Sequence, residues 1–220
     1  MIVPSMSVHE IHNELFEDLH SIQTKVDICK KDFGRRVLKA SRFPYTFSYD
    51  CLSRKKNLLV VSFTVLKRSQ WDNPILGFYG VYNRPDGKYA AALSLEDNRS
   101  MIYPPHFFKR YRERLVKDDK ISNDEIIRLF FKKHWGIVQA VVDENFKTVY
   151  QCFESNDKDE RLSFVSASTE GYCFGEKQGN VNIIKTIVSE EMLFEDQKPL
   201  FDKLRNELMS LANQFFKLPV

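Results

Sequence analysis

The first part of the chain repeats hydrophobic residues at helical spacing. Ser7 and Glu10 form an S-x-x-E capping box, a pattern that marks the start of a helix. The apolar positions that follow share one helical face, and they are Ile11, Leu15, Leu19, Ile22, Val26, Cys29 and Phe33. The opposite face is polar and begins with Glu10, Glu14, Glu17 and Asp18. Gly34 is suited to end the helix, so the pattern predicts one long N-terminal helix.

A strand-rich region follows. Residues 57–66 are β-branched and almost wholly apolar, which favours a buried strand. Residues 77–82 and 88–95 flank a Pro-Asp-Gly sequence at 85–87. Because Pro-Asp-Gly is strong turn chemistry, these two segments are predicted to pair as a hairpin.

The rest of the chain predicts a central helix pair, a second group of strands and a last helix. Pro105 opens the first central helix, and a capping box at Ser122 and Glu125 opens the second, which Gly136 closes. Strand-like segments then occupy residues 137–142, 148–153, 162–168, 172–176 and 181–188. The last helical region begins near Ser189 and is interrupted before Pro199.

This order of elements favours an α+β fold with antiparallel sheets over a doubly wound one, because the strands are grouped and joined by short turns. A polar turn at residues 98–105 is the point at which the chain is most easily divided into two units. We therefore expect an N-terminal unit over residues 1–100, of unknown role, and an α+β module over residues 101–220. A single continuous domain is the alternative.

Composition narrows the function classes only slightly. The net charge is +3, from 33 basic and 30 acidic residues, so a claim of nucleic-acid binding must rest on local clustering. The four cysteines lack the paired spacing of a zinc site, and no metal or cofactor is predicted. The N-terminus does not resemble a signal peptide and the apolar runs are too short to span a bilayer. We expect a cytoplasmic protein that does not bind membranes.

The segment from His106 to Lys117 carries the most informative charge pattern. On a helix, His106, Arg110, Arg114 and Lys117 fall on one face, opposite Phe107, Phe108, Tyr111 and Leu115. Lys109 and Arg112 add further positive charge. Guanidinium groups bind phosphate oxygens in pairs and keep their charge, so this face suits a phosphate ligand. An ordinary solvated helix face is the competing interpretation. The histidines of the first helix, His9, His12 and His20, are expected at the surface.

The pattern H-x3-R-x3-R at a helix start, followed by a capped helix and several short strands, resembles the toxin-type ribonucleases. This group includes RelE-like toxins, barnase and related phage-associated nuclease modules. The resemblance covers residues 103–193 and no residue before 100, and the segment at 171–186 resembles the last hairpin of that group.

The resemblance implies metal-independent RNA cleavage, in which a 2′-hydroxyl attacks the adjacent phosphate. His106 would act as general base or acid, and Arg110 and Arg114 would stabilise the charged transition state. Thr186 would add a contact from the sheet. RNA phosphates would be bound by Lys109, Arg112, Lys117, Ser166, Ser168 and Lys185. The sequence shows no clear second acid–base residue. A non-catalytic binding or interaction protein of phage or mobile-element type, with a protein partner or inhibitor, is the alternative.

Overall fold

The computed structural model describes residues 1–134, 137–141 and 162–216. The chain folds into two compact units, Met1–Ile102 and Tyr103–Val220. The strand predicted at residues 148–153 and the helix end predicted at Gly136 lie outside the described residues, as does Cys152. The predicted α+β class is confirmed, since helices and sheet strands occur in both units, whereas several of its finer details are not exact.

The N-terminal unit begins with two helices, α1 (Val8–Ser21) and α2 (Gln23–Lys39). The predicted capping box is confirmed, because the Glu10 amide donates to Ser7 Oγ and the Ser7 amide donates to Glu10 Oε2. The prediction of one long helix is wrong. Ile22 leaves helical geometry, with φ −104° and ψ 1°, while its side chain stays fully buried. The apolar residues therefore keep their helical spacing across the break between α1 and α2, and this spacing does not indicate the break.

Gly34 does not end a helix, as the sequence suggested, but lies inside α2. A Cβ atom at this position would lie 3.1 Å from the Trp71 ring. The glycine therefore allows close packing of α2 against the segment that follows the second strand.

Five strands follow α2, and the N-terminal unit ends within the fifth, at Ile102. They are β1 (Tyr45–Leu52), β2 (Leu58–Val65), β3 (Ile75–Arg84), β4 (Gly87–Ser94) and β5 (Arg99–Tyr103). They are ordered β1-β2-β3-β4-β5, and the pairings from β1 to β4 are antiparallel. The hairpin predicted around Pro85-Asp86-Gly87 is confirmed, with Arg84 opposite Gly87. Phe33 of α2 stacks on Phe63 of β2 with ring centroids 5.3 Å apart, which places the core between α2 and the sheet.

Two polar residues of α1 lie in the core, and for His12 the predicted surface position is wrong. His12 is 5% exposed and its Nδ1 lies 3.0 Å from Ser100 Oγ. Asp18 is 2% exposed and accepts hydrogen bonds from Ser53 Oγ at 2.6 Å and from Asn57 Nδ2 at 2.5 Å. These partners lie far away in sequence, and they satisfy polar groups that burial would otherwise destabilise.

The C-terminal unit contains α3 (Pro105–Tyr111), a π-helical turn (Arg112–Val116), α4 (Asn123–Lys133) and α5 (Lys198–Phe216). Its strands are β6 (Ile137–Val141), β7 (Leu162–Ser168), β8 (Gly171–Gln178) and β9 (Val181–Val188). They are ordered β9-β8-β7-β6 and pair antiparallel. The last helical region begins near Ser189 and is interrupted before the α-helix, as predicted, although its first part is only a 3-10 turn. A short 3-10 turn (Glu190–Met192) comes first, and α5 starts at Lys198 with Pro199 in its first turn, where no amide donor is required.

The core of the C-terminal unit has two aromatic groups. The first joins α3 to α4 through ring contacts of Phe130 with Phe107 and Tyr111, at centroid distances of 5.1 and 5.2 Å. The second places Phe201 of α5 against Tyr172 and Phe174 of β8. In the described part of the chain, no helix is both long enough and apolar enough to cross a membrane.

Candidate phosphate-binding site

The basic segment that begins at His106 is held in place by its aromatic side. Phe107 and Tyr111 are fully buried and Phe108 is 3% exposed. The Tyr111 hydroxyl also donates to Glu170 Oε2 at 2.6 Å. These contacts fix the rotation of α3 about its axis, so the basic side chains project away from the core.

The geometry of this segment differs from the regular helix expected from the sequence. The α-helix ends at Tyr111, and the next turn is π-helical, closed by a hydrogen bond of 2.7 Å from the Lys117 amide to the Arg112 carbonyl oxygen. Lys117 then adopts a left-handed conformation with φ 55°. The expected alignment of Lys117 with His106 on one α-helical face is therefore wrong, since a π turn inserts one residue into the helical repeat.

Arg110 and Arg114 converge on β9. Arg114 Nη1 donates to Thr186 Oγ1 at 3.2 Å and to the Ile187 carbonyl oxygen at 2.9 Å. Arg110 Nη1 lies 3.4 Å from the Lys185 carbonyl oxygen, a long contact. The structure thus brings together the two arginines and the strand residues Lys185 and Thr186, all of which the sequence analysis selected. Thr186 itself is 2% exposed, so its hydroxyl serves Arg114 within the fold.

The two guanidinium groups are close enough to affect each other. Burial lowers the pKa of Arg114, and the charge of Arg110 lowers it further, while Glu113 acts in the opposite direction. Both arginines are partly buried rather than fully solvated. Two like charges held side by side generate a local positive potential that an oxyanion would stabilise.

The other selected basic residues surround this pair less closely. His106 is exposed at the first turn of α3. Lys109 is exposed, with Nζ 4.0 Å from Glu113 Oε1. Arg112 donates through Nη2 to Asn123 Oδ1 at 2.8 Å, and the Lys185 ammonium pairs with the Glu176 carboxylate. Lys117 is exposed beyond the π turn.

The two serines selected from β7 lie in different environments. Ser166 is fully buried and lies opposite Cys173 of β8 in the sheet register. Ser168 Oγ donates to the Gly171 carbonyl oxygen at 2.8 Å and thereby supports the turn between β7 and β8. The described hydrogen bonds therefore give the two hydroxyls no contact with Arg110 or Arg114.

A second basic surface, in the N-terminal unit, was missed by the sequence analysis. A depression of about 410 Å³ at the end of α2 is lined by Arg36, Lys39, Ala40, Ser41, Arg42 and Tyr45. The Arg36 guanidinium lies 4.2 Å from the Phe47 ring centroid and pairs with Asp32 at 2.6 Å. The signal in the sequence is the run of cations at positions 35, 36, 39 and 42, which continues past the end of the helix.

No family model matches this chain, and searches of the curated proteins and of the solved structures also return no match. Among the described residues, no group of three or more His, Cys, Asp and Glu side chains could hold a metal ion.

Proposed function

We propose that this chain binds RNA, and that Arg110 and Arg114 contact the RNA phosphates. The observation that carries the proposal is the convergence of both guanidinium groups on β9, beside each other and partly buried. Each guanidinium carries five N–H donors. The described contacts with β9 use a single terminal nitrogen, Nη1, of each side chain.

The arrangement favours a phosphate ligand for an energetic reason. Bringing Arg110 and Arg114 together costs electrostatic free energy, and a bound oxyanion recovers that cost. The contacts with β9 also fix the planes of the guanidinium groups, so less side-chain entropy is lost when they bind a ligand. Lys109 and Lys117, both exposed, would extend the positive surface along a single-stranded backbone.

Fluorescence anisotropy with a labelled single-stranded RNA, in the presence of a chelator, tests this proposal. Loss of a hydrogen bond to a charged group costs about 1.5–3 kcal/mol, so Arg110→Gln/Arg114→Gln should raise Kd at least about tenfold. Arg110→Lys/Arg114→Lys keeps the charge but loses the paired donors, and it should have an intermediate Kd.

A matched control separates this site from general attraction to basic surfaces. Lys39→Gln/Arg42→Gln removes the same charge from the N-terminal unit, where the basic depression lies. We expect this control to change Kd much less than the Arg110/Arg114 variant does. Equal losses in the two variants would contradict the proposal, and so would unchanged binding by a folded Arg110→Gln/Arg114→Gln protein.

Metal-independent RNA cleavage is the second candidate function. The observation in its favour is the exposure of His106 on α3, one helical turn before Arg110. From this position the imidazole could exchange a proton with a ribose hydroxyl while the arginines stabilise the phosphate. The toxin-type ribonuclease resemblance supports the same chemistry, as a proposal.

A denaturing gel of end-labelled RNA incubated with chelator tests the cleavage proposal. Cleavage that disappears in His106→Ala, while RNA binding is retained, would support the catalytic role. Intact RNA with wild-type protein that binds it tightly would exclude cleavage of that RNA and leave the binding proposal standing. Absence of both binding and cleavage would favour the alternative of a protein–protein interaction module.

A further inference from the structure

A ladder of contacts joins α2 to the edge strand β1. At one end, the Lys25 ammonium donates to the Leu52 carbonyl oxygen. Towards the other end, the Tyr49 hydroxyl donates to Asp32 Oδ2 at 2.7 Å, and the Arg36 guanidinium lies over the Phe47 ring. Positions increase along α2 as they decrease along β1, so the helix runs antiparallel to the strand.

Cys29 and Cys51 lie between these contacts, one on the helix and one on the strand. Cys29 lies one turn after Lys25 on α2, and Cys51 directly precedes Leu52 on β1. Each thiol affects the pKa of the other, which agrees with the side-by-side positions that the flanking contacts give them. Cys51 is 2% exposed, whereas Cys29 is half-buried, so an oxidant reaches the pair from the Cys29 side.

We propose that Cys29 and Cys51 form a disulfide, which links α2 covalently to β1, when the protein is exposed to a peroxide. The contacts on both sides of the pair already hold the helix and the strand together, so the reaction needs little rearrangement of the backbone. The proposal concerns the N-terminal unit alone and is independent of RNA binding.

The chemistry balances with hydrogen peroxide as oxidant. The Cys29 thiolate attacks one peroxide oxygen, so that an S–O bond forms, the O–O bond breaks and hydroxide leaves. The Cys51 thiolate, after losing its proton to solvent, then attacks the Cys29 sulfur. The S–S bond forms as the S–O bond breaks, and the departing hydroxide becomes water. Two thiols and one peroxide thus give one disulfide and two waters.

The surroundings of the thiols set the rate of this reaction. Burial raises the pKa of Cys29, and burial raises that of Cys51 to about 11, partly opposed by the nearby Lys25 ammonium. Since the thiolate is the reacting form, the pair should oxidise slowly at neutral pH and faster as the pH rises. Such a pair would respond to sustained rather than brief exposure to an oxidant.

Mass spectrometry of the full chain tests the proposal. The reduced, desalted protein is treated with hydrogen peroxide, trapped with an alkylating reagent under denaturing conditions and digested without reductant. We expect a linked peptide pair containing Cys29 and Cys51, which a thiol reductant removes. Cys29→Ser and Cys51→Ser should each abolish the linked pair, whereas Cys173→Ser should retain it.

Thermal unfolding gives a second measurement, which does not depend on the variants. The oxidised wild-type protein should have a higher Tm than the reduced protein, because the disulfide restricts the unfolded chain. Reductant should reverse the shift. Oxidation of Cys29 to sulfinic acid without a linked peptide would overturn the proposal, and so would a disulfide that forms equally well with Cys152 or Cys173.

Discussion

Replacing Asp18 by alanine should destabilise the N-terminal unit strongly, although the residue lies on the polar face of the first helix in the sequence. Its carboxylate accepts from Ser53 Oγ at 2.6 Å and Asn57 Nδ2 at 2.5 Å, and both partner residues are buried. A buried donor left without an acceptor costs about 1–3 kcal/mol. Asn57 Nδ2 keeps a contact with Glu14 Oε1 at 3.1 Å, so we expect a total loss of about 2–4 kcal/mol in the free energy of unfolding.

Urea unfolding measures this loss, with Trp71 fluorescence as the probe of the N-terminal unit in a Trp135→Phe background. The separate probe is needed because two units can unfold in separate transitions. Glu17→Ala is the matched control, since its side chain is 68% exposed and its ion pair with Lys55 is a surface contact. That control should cost less than about 1 kcal/mol. Equal stabilities of Asp18→Ala and Glu17→Ala would refute the stabilising role assigned to the hydrogen bonds of Asp18.

Two further predictions concern the C-terminal unit. Gly175→Ala should lower the Tm in thermal unfolding, because the added Cβ would lie 2.4 Å from the Ile183 carbonyl oxygen and 2.6 Å from the Phe164 ring. Overpacking of this kind costs about 1–3 kcal/mol. An unchanged Tm would contradict this prediction. Burial lowers the pKa of His134 to about 4, so folding favours the neutral ring. The buried neutral ring therefore contributes to stability above the unfolded pKa of about 6.5, and this contribution is lost as the pH falls towards 4. Unfolding free energies measured across this range should depend less on pH in His134→Phe than in the wild type, and equal pH dependence would contradict the assignment.

Features that depend on neighbouring residues could be predicted from the sequence. Both capping boxes, at Ser7 and Ser122, form as expected because each needs only the glutamate three residues later. The hairpin around Gly87 forms for the same reason, since the turn sequence sets the register of the flanking strands. Strand-like patterns in the sequence also located the strands β7, β8 and β9.

Features that depend on distant contacts could not be predicted. The break at Ile22 leaves the apolar spacing of the N-terminal helices intact, so the pattern contains no sign of it. The burial of His12 depends on Ser100, whose proximity follows from the fold. The π turn after Tyr111 changes which basic side chains share a face, and no residue type in the sequence indicates it. The convergence of Arg114 on β9 was expected only in outline, through the selection of Thr186.

The salt dependence of RNA binding is the most direct test of the proposed phosphate contacts of Arg110 and Arg114. For single-stranded RNA, log K falls with log salt concentration by about 0.7 for each phosphate neutralised. If Arg110 and Arg114 each contact a phosphate, Arg110→Gln/Arg114→Gln should reduce the magnitude of that slope by about 1.4. The Lys39→Gln/Arg42→Gln control should leave it close to the wild-type value. A slope that is the same in the wild type and the Arg110/Arg114 variant would contradict the proposed phosphate contacts.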